Sequence, residues 1–220
     1  MPTSLLSASV QSAPAALLGF DVNQPLTAPQ AQDFKNAGYS FAIRYIPRTA
    51  ALTANNLTNA EALDIMNAGL ALMAVQHVAL PGWQPTTNLG TQYGNFAAQY
   101  AQETVQLPLG LNIWCDLEGV AAATDPQDVI DYCQAWYYSV HTAGYVPGLY
   151  VGYHTRLTPE QLYNNTSFQH YWQDYNRSEE VATRGYQLIQ QTEKTLNGVT
   201  FDPNVTQNDN MGDTALWLQF

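Results

Sequence analysis

Two acidic residues, Asp116 and Glu118, end a short hydrophobic run over residues 111–120. The run has the length of a buried strand, with a Pro-Leu-Gly turn before it and Gly119 after its last acid. Because side chains alternate along a strand, Trp114, Asp116 and Glu118 share one face of it. Two carboxylates at positions i and i+2 lie roughly 6.5–7 Å apart along the chain.

Two like charges at that spacing, beside an indole ring, should raise the pKa of one carboxyl and leave that of the other low. Acid catalysis on a glycosidic bond needs such a pair, with one carboxyl protonated near neutral pH and the other ionised. The alternative is that both acids cap the following helix or face solvent. An isolated Asp-x-Glu tripeptide does not decide between the two, so the rest of the chain has to supply the context.

Composition limits the classes of partner. The chain has 220 residues, enough for one domain with a sizeable core, and no apolar run approaches the ~20 residues of a membrane helix. Lys and Arg number 7 against 18 Asp and Glu, a formal net charge of −11. Phosphate neutralisation and adhesion to anionic lipid both need clustered basic residues, so we expect no nucleic-acid partner and no membrane partner.

The first 16 residues contain Ala, Ser and Pro but no basic segment, and so lack the pattern of a secretory signal. We expect a flexible leader over residues 1–16 and a single barrel domain over residues 17–220. Alternation places Cys115 on the face opposite the acids, and Cys133 lies in the next helical segment. Two buried free thiols are the favoured interpretation, and a disulfide bridge is the alternative.

Apolar runs alternate with helical segments along most of the chain. Helix starts are marked by Thr27, by Thr58 with Glu61 as a capping box, by the Asp-Pro pair at residues 125–126, and by Thr158. Strands are predicted over residues 17–23, 41–46, 70–78, 111–120, 147–153, 170–175, 186–192 and 215–220, with a polar connection over residues 197–213.

Repeated alternation of strand and helix favours parallel strands in an α/β fold. Roughly eight strands in this length predict a single-domain, irregular (β/α) barrel of the TIM type. A doubly wound open sheet is the alternative. It would usually carry a glycine-rich phosphate loop after its first strand, and the Asp-Val-Asn-Gln-Pro that follows here is not one.

Polar residues lie near the C-terminal ends of the predicted strands, where barrel enzymes form their active sites. Individually they have structural explanations: Asp21 can cap a helix, Arg44 can pair with an acid, and Asp174 can form a turn. Those explanations do not account for acids that gather at one end of the strands, so we predict a carboxylate-lined pocket there. The strand-end residues are Asp21, Arg44, Gln76 with His77, Asp116 with Glu118, Tyr153, Asp174 and Gln190.

Several other chemistries lack their motifs. The sequence has no Gly-x-Ser-x-Gly elbow, no phosphate loop, no Cys-x-x-Cys and no His-Glu-x-x-His. Oxygen ligands for a divalent metal are conceivable on Asp21, Asp116, Glu118 and Asp202. We nevertheless expect neither a metal nor a cofactor.

A series of short motifs covers most of residues 17–207. They are Gly-Phe-Asp-Val-Asn at 19–23, Phe-Ala-Ile-Arg-Tyr at 41–45, Leu-Thr-Asn-Ala-Glu-Ala at 57–62, Ala-Gly-Leu at 68–70, Trp-Cys-Asp-Leu-Glu at 114–118, Gly-Leu-Tyr-Val-Gly-Tyr at 148–153, Leu-Ile-Gln-Gln-Thr at 188–192 and Gly-Val-Thr-Phe-Asp-Pro-Asn-Val at 198–205. In this order they resemble the glycoside hydrolase family 25 lysozyme superfamily. Within it, the chain is most similar to a bacterial domain family of unknown function described as glycoside-hydrolase-like.

The resemblance implies an irregular barrel that cleaves the glycan backbone of peptidoglycan. By carry-over, Glu118 is the general acid, and Asp116 stabilises positive charge or steers a substrate N-acetyl group. Asp21 matches the first-strand acid of the family and is the third catalytic candidate, and Asp202 matches its late acid near the cleft. Sugar contacts are expected from Tyr150 or Tyr153 and from Gln190 or Gln191, and the further substrate-binding candidates are Arg44, Gln76, Trp172 and Asp174.

The chain departs from the family pattern in three respects. Family 25 enzymes often have more aromatic residues around the cleft, and they commonly carry separate wall-binding repeats, which we do not find in this sequence. Its negative charge also suits an anionic cell wall poorly, because like charges slow encounter. Two hypotheses therefore stand: a monomeric, extracellular or cell-envelope hydrolase of cell-wall glycan, and a non-hydrolytic barrel that binds glycan or a protein partner.

Overall fold

The computed structural model describes residues 4–176 and 180–220 and shows strands that alternate with helices. The strands are β1 (Ser9–Ser12), β2 (Leu18–Val22), β3 (Phe41–Ile46), β4 (Ala71–Gln76), β5 (Asn112–Leu117), β6 (Val146–Val151), β7 (His170–Gln173), β8 (Leu188–Gln190), β9 (Lys194–Leu196), β10 (Val199–Thr206) and β11 (Leu216–Gln219). The helices are α1 (Ala28–Asn36), α2 (Asn59–Asn67), α3 (Thr87–Gln99), α4 (Pro126–Thr142) and α5 (Pro159–Asn164). A π-helical segment, Tyr100–Val105, continues α3.

Eight strands close into a barrel. From β2 to β8 each strand lies parallel to the next, and β10 fills the remaining gap, antiparallel to both β2 and β8. The predicted irregular (β/α) barrel is therefore confirmed, and the alternative of an open doubly wound sheet is wrong because the sheet returns on itself.

The closing strand was predicted as part of a polar connection over residues 197–213, and that prediction is wrong for β10. Asp202 and Asn204 interrupt its apolar pattern, yet Asn204 is completely buried. Asn197 and Gly198, both at positive φ (48° and 82°), form the tight turn that returns β9 to β10. Polar side chains in a barrel interior give a strand the composition of a loop.

Part of the flexible leader that we expected over residues 1–16 is folded, because residues 9–12 form strand β1. β1 pairs antiparallel with β11, and Leu5 and Ala13 are buried. The polar surface of β1 explains the error, because its strand character depends on a partner more than 200 residues away in the sequence.

Helix boundaries follow the capping residues. Thr27, Thr58, Asp125 and Thr158 each accept a hydrogen bond from the first turn of their helix, as predicted. The capping box predicted for Glu61 is not formed, because its carboxylate accepts hydrogen bonds from Arg44 and from the Leu26 amide instead.

The lower barrel interior is packed with aromatic rings. Trp114 and Trp172 meet edge to face, with ring centroids 5.9 Å apart. Both cysteines are buried free thiols, as predicted, and Cys115 lies beside Tyr132 of α4. None of the helices in the described ranges 4–176 and 180–220 is long and apolar enough to cross a membrane.

Candidate active site

A pocket of about 350 Å³ opens at the C-terminal ends of the barrel strands. Four carboxyl groups line it, on Asp116, Glu118, Asp174 and Asp202, so this part of the predicted carboxylate cluster is assembled in the fold. Its remaining lining consists of aromatic and amide side chains, namely Tyr45, Tyr150, Tyr153, Tyr175, Asn176 and Gln190.

The end of β5 aims the central acid pair into this pocket. Asp116 and Glu118 both face it, whereas Cys115, which precedes Asp116 on the strand, packs toward α4, as the alternation predicts. The backbone carbonyl of Glu118 accepts a hydrogen bond from the Trp83 indole at 2.8 Å. Gly119 donates its backbone N–H to the Tyr153 carbonyl, which fixes the chain directly after the acid.

Asp21 lies immediately behind the pocket wall and is 2 % exposed. Its Oδ2 accepts hydrogen bonds from Gln190 (2.9 Å) and Asn204 (2.8 Å), and its Oδ1 accepts one from the Tyr45 hydroxyl (3.1 Å). Tyr45 and Gln190 line the pocket, so Asp21 acts on the pocket indirectly, by fixing the positions of these two side chains.

The Tyr150 hydroxyl extends this network across the barrel. It donates a hydrogen bond to Oε1 of Gln190 at 2.9 Å, so Gln190 bonds Tyr150 and Asp21 at the same time. Tyr153 is 41 % exposed at the rim. A buried polar layer and an exposed aromatic rim therefore form one surface.

Burial raises the pKa values of four carboxyl groups, those of Asp21, Asp116, Glu118 and Asp202, and repulsion between carboxylates adds to the effect for all of them except Asp21. Desolvation is the largest cause for each of them. The pKa of Asp21 is raised to about 6, and those of Glu118 and Asp202 to about 7. Burial, then the Glu118 charge, also raises the pKa of Asp116 well above its ordinary range, against a hydrogen bond from the Val78 backbone. Carboxyl groups in the pocket therefore remain partly protonated near neutral pH.

One oxygen in this layer has no partner. Oδ1 of Asp116 is buried, and within residues 4–176 and 180–220 no group hydrogen-bonds to it. An unpaired buried carboxyl oxygen is costly, and such groups concentrate at functional sites. This unpaired oxygen marks Asp116 as a candidate functional residue.

Three predicted substrate-binding residues do not line the pocket. Arg44 is fully buried and pairs with Glu61 (Nε to Oε1, 2.6 Å), as its structural explanation allowed. Gln76 donates to the Pro47 and Tyr93 carbonyls and accepts from the Trp136 indole. Trp172 lies below the pocket, and its indole donates to Asn204. Each has its polar atoms engaged by the protein, which corrects the prediction.

The strand-end rule found the right strands but not always the right residue. Arg44 and Tyr45 are neighbours on β3, so only one of them can face the barrel interior, and Tyr45 does. The pairing of β2 with β3 also shows that Tyr45 faces inward, because Ile43 lies beside Asp21 and shares its face of the sheet with Tyr45. That pairing cannot be read from the sequence alone. Asn204 was missed because its strand was missed, and Tyr175 and Asn176 lie beyond the end of β7.

Among the described residues, no group of three or more His, Cys, Asp or Glu side chains is arranged to hold a metal ion. His77 lies outside the pocket and stacks against Tyr45, with ring centroids 4.5 Å apart. Burial, reinforced by Arg44 and Arg48, lowers the pKa of His77 to about 4.

The closed barrel and its acidic pocket at the strand C-termini define a glycoside-hydrolase-like protein. Residues 32–210 match the family of Rv2525c-like, glycoside hydrolase-like domains, and the chain belongs to that family. The resemblance noted in the sequence is thereby confirmed. No curated protein sequence matches the chain.

Solved structures share the fold at low sequence identity. An uncharacterized B. stearothermophilus protein is 17 % identical with a TM-score of 0.68, over 87 % of this chain and 96 % of the other. The Mycobacterium tuberculosis Tat-secreted protein Rv2525c, in complex with L-tartrate, is 15 % identical with a TM-score of 0.64, over 91 % and 99 %. A family 25 glycosyl hydrolase from Bacillus anthracis is 15 % identical with a TM-score of 0.63, over 90 % and 91 %. At such identities the likeness concerns the fold.

Proposed function

We propose that this protein is a glycosidase that cleaves the glycan backbone of bacterial peptidoglycan, as a muramidase does. The observation that carries the proposal is the set of carboxyl groups with raised pKa values around one open pocket at the barrel's C-terminal face. Solved structures with this fold include muramidases from Trichobolus zukalii and Acremonium alcalophilum, which supports this substrate class.

Glu118 is the proposed general acid. It is partly buried, and its pKa of about 7 keeps it protonated in mildly acidic solution, where an ordinary glutamate has lost its proton. It lies at the pocket surface, where it can protonate the oxygen of the leaving sugar. The raised pKa therefore matches the role.

Asp116 is the proposed stabiliser of the positive charge that develops on the sugar ring. The backbone hydrogen bond from Val78 favours its ionised form, while burial and Glu118 oppose it. A buried carboxylate attracts the positive charge of the transition state strongly, because the low polarity of its surroundings strengthens the interaction between opposite charges. The binding of a cationic transition state would therefore favour the ionised form of Asp116. Its free Oδ1 can instead orient a substrate N-acetyl group.

The remaining residues are proposed to bind the sugar or to position the side chains that bind it. Asp21 holds Tyr45 and Gln190 and is a positioning residue, whereas Asp174 and Asp202 face the pocket directly. Tyr150 and Tyr153 supply the aromatic and hydroxyl surface that sugars bind. We further propose that the protein works outside the cytoplasm, since peptidoglycan is extracellular and the M. tuberculosis relative is described as Tat-secreted.

The test is release of new reducing ends from purified peptidoglycan. Wild-type protein should release them, and Glu118→Gln should lose activity by orders of magnitude. Glu160→Gln, an equal change at an exposed residue of helix α5, should match the wild type. Equal release by wild type and Glu118→Gln would remove Glu118 from the role of acid.

A second candidate function is glycan binding without turnover. The observation that favours it is the high pKa of both Asp116 and Glu118, which leaves the empty pocket without a readily ionised acid at the centre. No reducing ends from the wild type, together with retention on peptidoglycan in a pull-down, would select this function.

A further inference from the structure

A second cavity of about 350 Å³ adjoins the acidic pocket at the same end of the barrel. It is formed by the segments that follow β2, β3 and β4, and its lining includes Asn23, Arg48, Asn55 and His77. Unlike the acidic pocket, it has no carboxyl group among its lining residues.

Two connections join this Arg48 cavity to the acidic pocket. The rings of Tyr45, in the pocket wall, and His77, in the cavity wall, lie 4.5 Å apart. Val78 forms the second connection, because its backbone hydrogen-bonds to Asp116 while its carbonyl accepts a hydrogen bond from Nη1 of Arg48. A single extended ligand can therefore reach both.

Arg48 has unused hydrogen-bonding capacity. A guanidinium group carries five N–H donors, and within the described residues the Val78 carbonyl is its one acceptor. Its Nε is buried with no partner there. The guanidinium also lies over the Tyr93 ring, 5.3 Å from the centroid, which holds it in place.

Arg48 is half-buried, and it differs from the buried arginines Arg44 and Arg184 in having no acidic partner among the described residues. Arg44 pairs with Glu61, and Arg184 pairs with Asp209. No carboxylate in residues 4–176 or 180–220 lies within ion-pair distance of Arg48. His77 adds no charge of its own to the cavity, because burial and the two arginines keep its ring neutral above about pH 4. In a chain of net charge −11, this cavity is a local cationic site.

We propose that the Arg48 cavity is a subsite for a carboxylate carried by the glycan, next to the sugar held in the acidic pocket. This inference rests on the proposed function and specifies its substrate as an anionic glycan. A planar guanidinium is suited to a carboxylate, which it can bind through two parallel hydrogen bonds. The amide side chains of Asn23 and Asn55 in the same cavity can bond the neighbouring sugar hydroxyls. The site also explains how an acidic protein can hold an anionic wall polymer.

The carboxylate can belong to the lactyl ether of a muramic acid unit or to an attached peptide stem. Three oligosaccharides of equal length separate these sources: peptide-free glycan with its lactyl carboxylates, the same glycan with those carboxylates reduced to alcohols, and glycan that retains peptide stems. Calorimetric titration should use protein carrying Glu118→Gln, so that the ligands are not cleaved.

The parent protein should bind at least one carboxylated glycan about 10-fold more tightly than the reduced one, as expected for a charge-assisted contact. Adding Arg48→Gln should abolish that preference, and Arg48→Lys should retain part of it. Lys35→Gln, which removes the same charge at the end of α1, should change each affinity less than 2-fold.

Equal binding of all three glycans by the parent protein, or no binding of any, overturns the subsite, and neither result depends on the folding of an Arg48 variant. An equal loss for charged and reduced glycans in Arg48→Gln also overturns it. Arg48-dependent binding without release of reducing ends by the wild type would keep the subsite and refute hydrolysis, so the two failures are distinguishable.

Discussion

Gly152 leaves the space in which the Glu118 side chain lies. A Cβ atom on Gly152 would be 2.7 Å from Oε2 of Glu118 and 2.5 Å from its Cβ, both shorter than real Cβ contacts. The ring of Tyr150 would be 2.9 Å away on another side. Glycine at residue 152 is therefore a requirement of the acid's position.

Gly152→Ala should displace Glu118 and lower the rate of glycan cleavage by about 100-fold, since a shift of about 1 Å in a catalytic group has an effect of that size. Initial rates of reducing-end release measure it. Gly38→Ala is the control, because it strains a φ of +94° but meets no atom within 4 Å. Gly38→Ala should lower stability and leave the rate unchanged. A wild-type rate in Gly152→Ala would show that Glu118 does not need its present position.

Asp21→Asn should keep most of the fold's stability and weaken activity. The asparagine oxygen can accept from Gln190 and Asn204, while its amide group faces the Tyr45 hydroxyl, which can accept. Asp21→Ala should be worse, because the buried donors of Gln190 and Asn204 and the part-buried Tyr45 hydroxyl lose their acceptor, at a cost of about 1–3 kcal/mol for each buried donor left unpaired.

Differential scanning fluorimetry checks this pair of variants. At about 2–4 °C per kcal/mol for a domain of this size, the Asp21→Ala melting temperature should fall by several degrees and that of Asp21→Asn by less. A fall in Asp21→Asn as large as in Asp21→Ala would mean that the negative charge itself stabilises the fold.

Glu118 should make the protein less stable as pH rises. Its folded pKa of about 7 lies above the ordinary 4.5, so between these values the folded state holds a proton that the unfolded state has lost. Its stabilising contribution is complete below about pH 4.5 and is lost as pH rises through about 7.

The melting temperature of Glu118→Gln relative to wild type reports this effect. The two proteins should be close at pH 4.5, and the variant should be the more stable at pH 8, because it carries no buried charge. The comparison cancels the opposite contribution of His77, whose lowered pKa favours folding as pH rises. A difference that is constant from pH 4.5 to 8 would contradict the raised pKa.

Glycan cleavage should fall as pH rises above about 7, because the proposed acid must be protonated to act. Because Glu118 and Asp116 titrate together, the apparent pKa of this fall in activity belongs to the pair of carboxyl groups and not to Glu118 alone. Measurement of kcat/KM on soluble glycan from pH 4 to 9 locates it. A rate that still rises at pH 9 would exclude Glu118 as the acid.

Sequence patterns predicted what depends on neighbours in the chain. Alternation along residues 111–120 placed Asp116 and Glu118 together, and capping residues placed the helix starts, because both are local effects. The partners of Asp21 could not be predicted in this way. Gln190 and Asn204 reach it only through the pairing of β10 with β2 and β8, and β10 has the composition of a loop. Arg44 was misplaced for a related reason, since the facing of β3 is decided by its neighbours.

The position of β10 near the end of the chain means that the barrel can close only late in synthesis. Asp21 and Asn204, hydrogen-bonded in the folded protein, are 183 residues apart in the sequence. While the ribosome is still translating the intervening chain, β2 has no β10 to pair with, and the nascent sheet keeps an open edge. Open edges of this kind promote aggregation, and long-range pairing is slow. The edge of β2 that β10 covers in the folded protein therefore stays exposed on the growing chain until the residues of β10 have emerged.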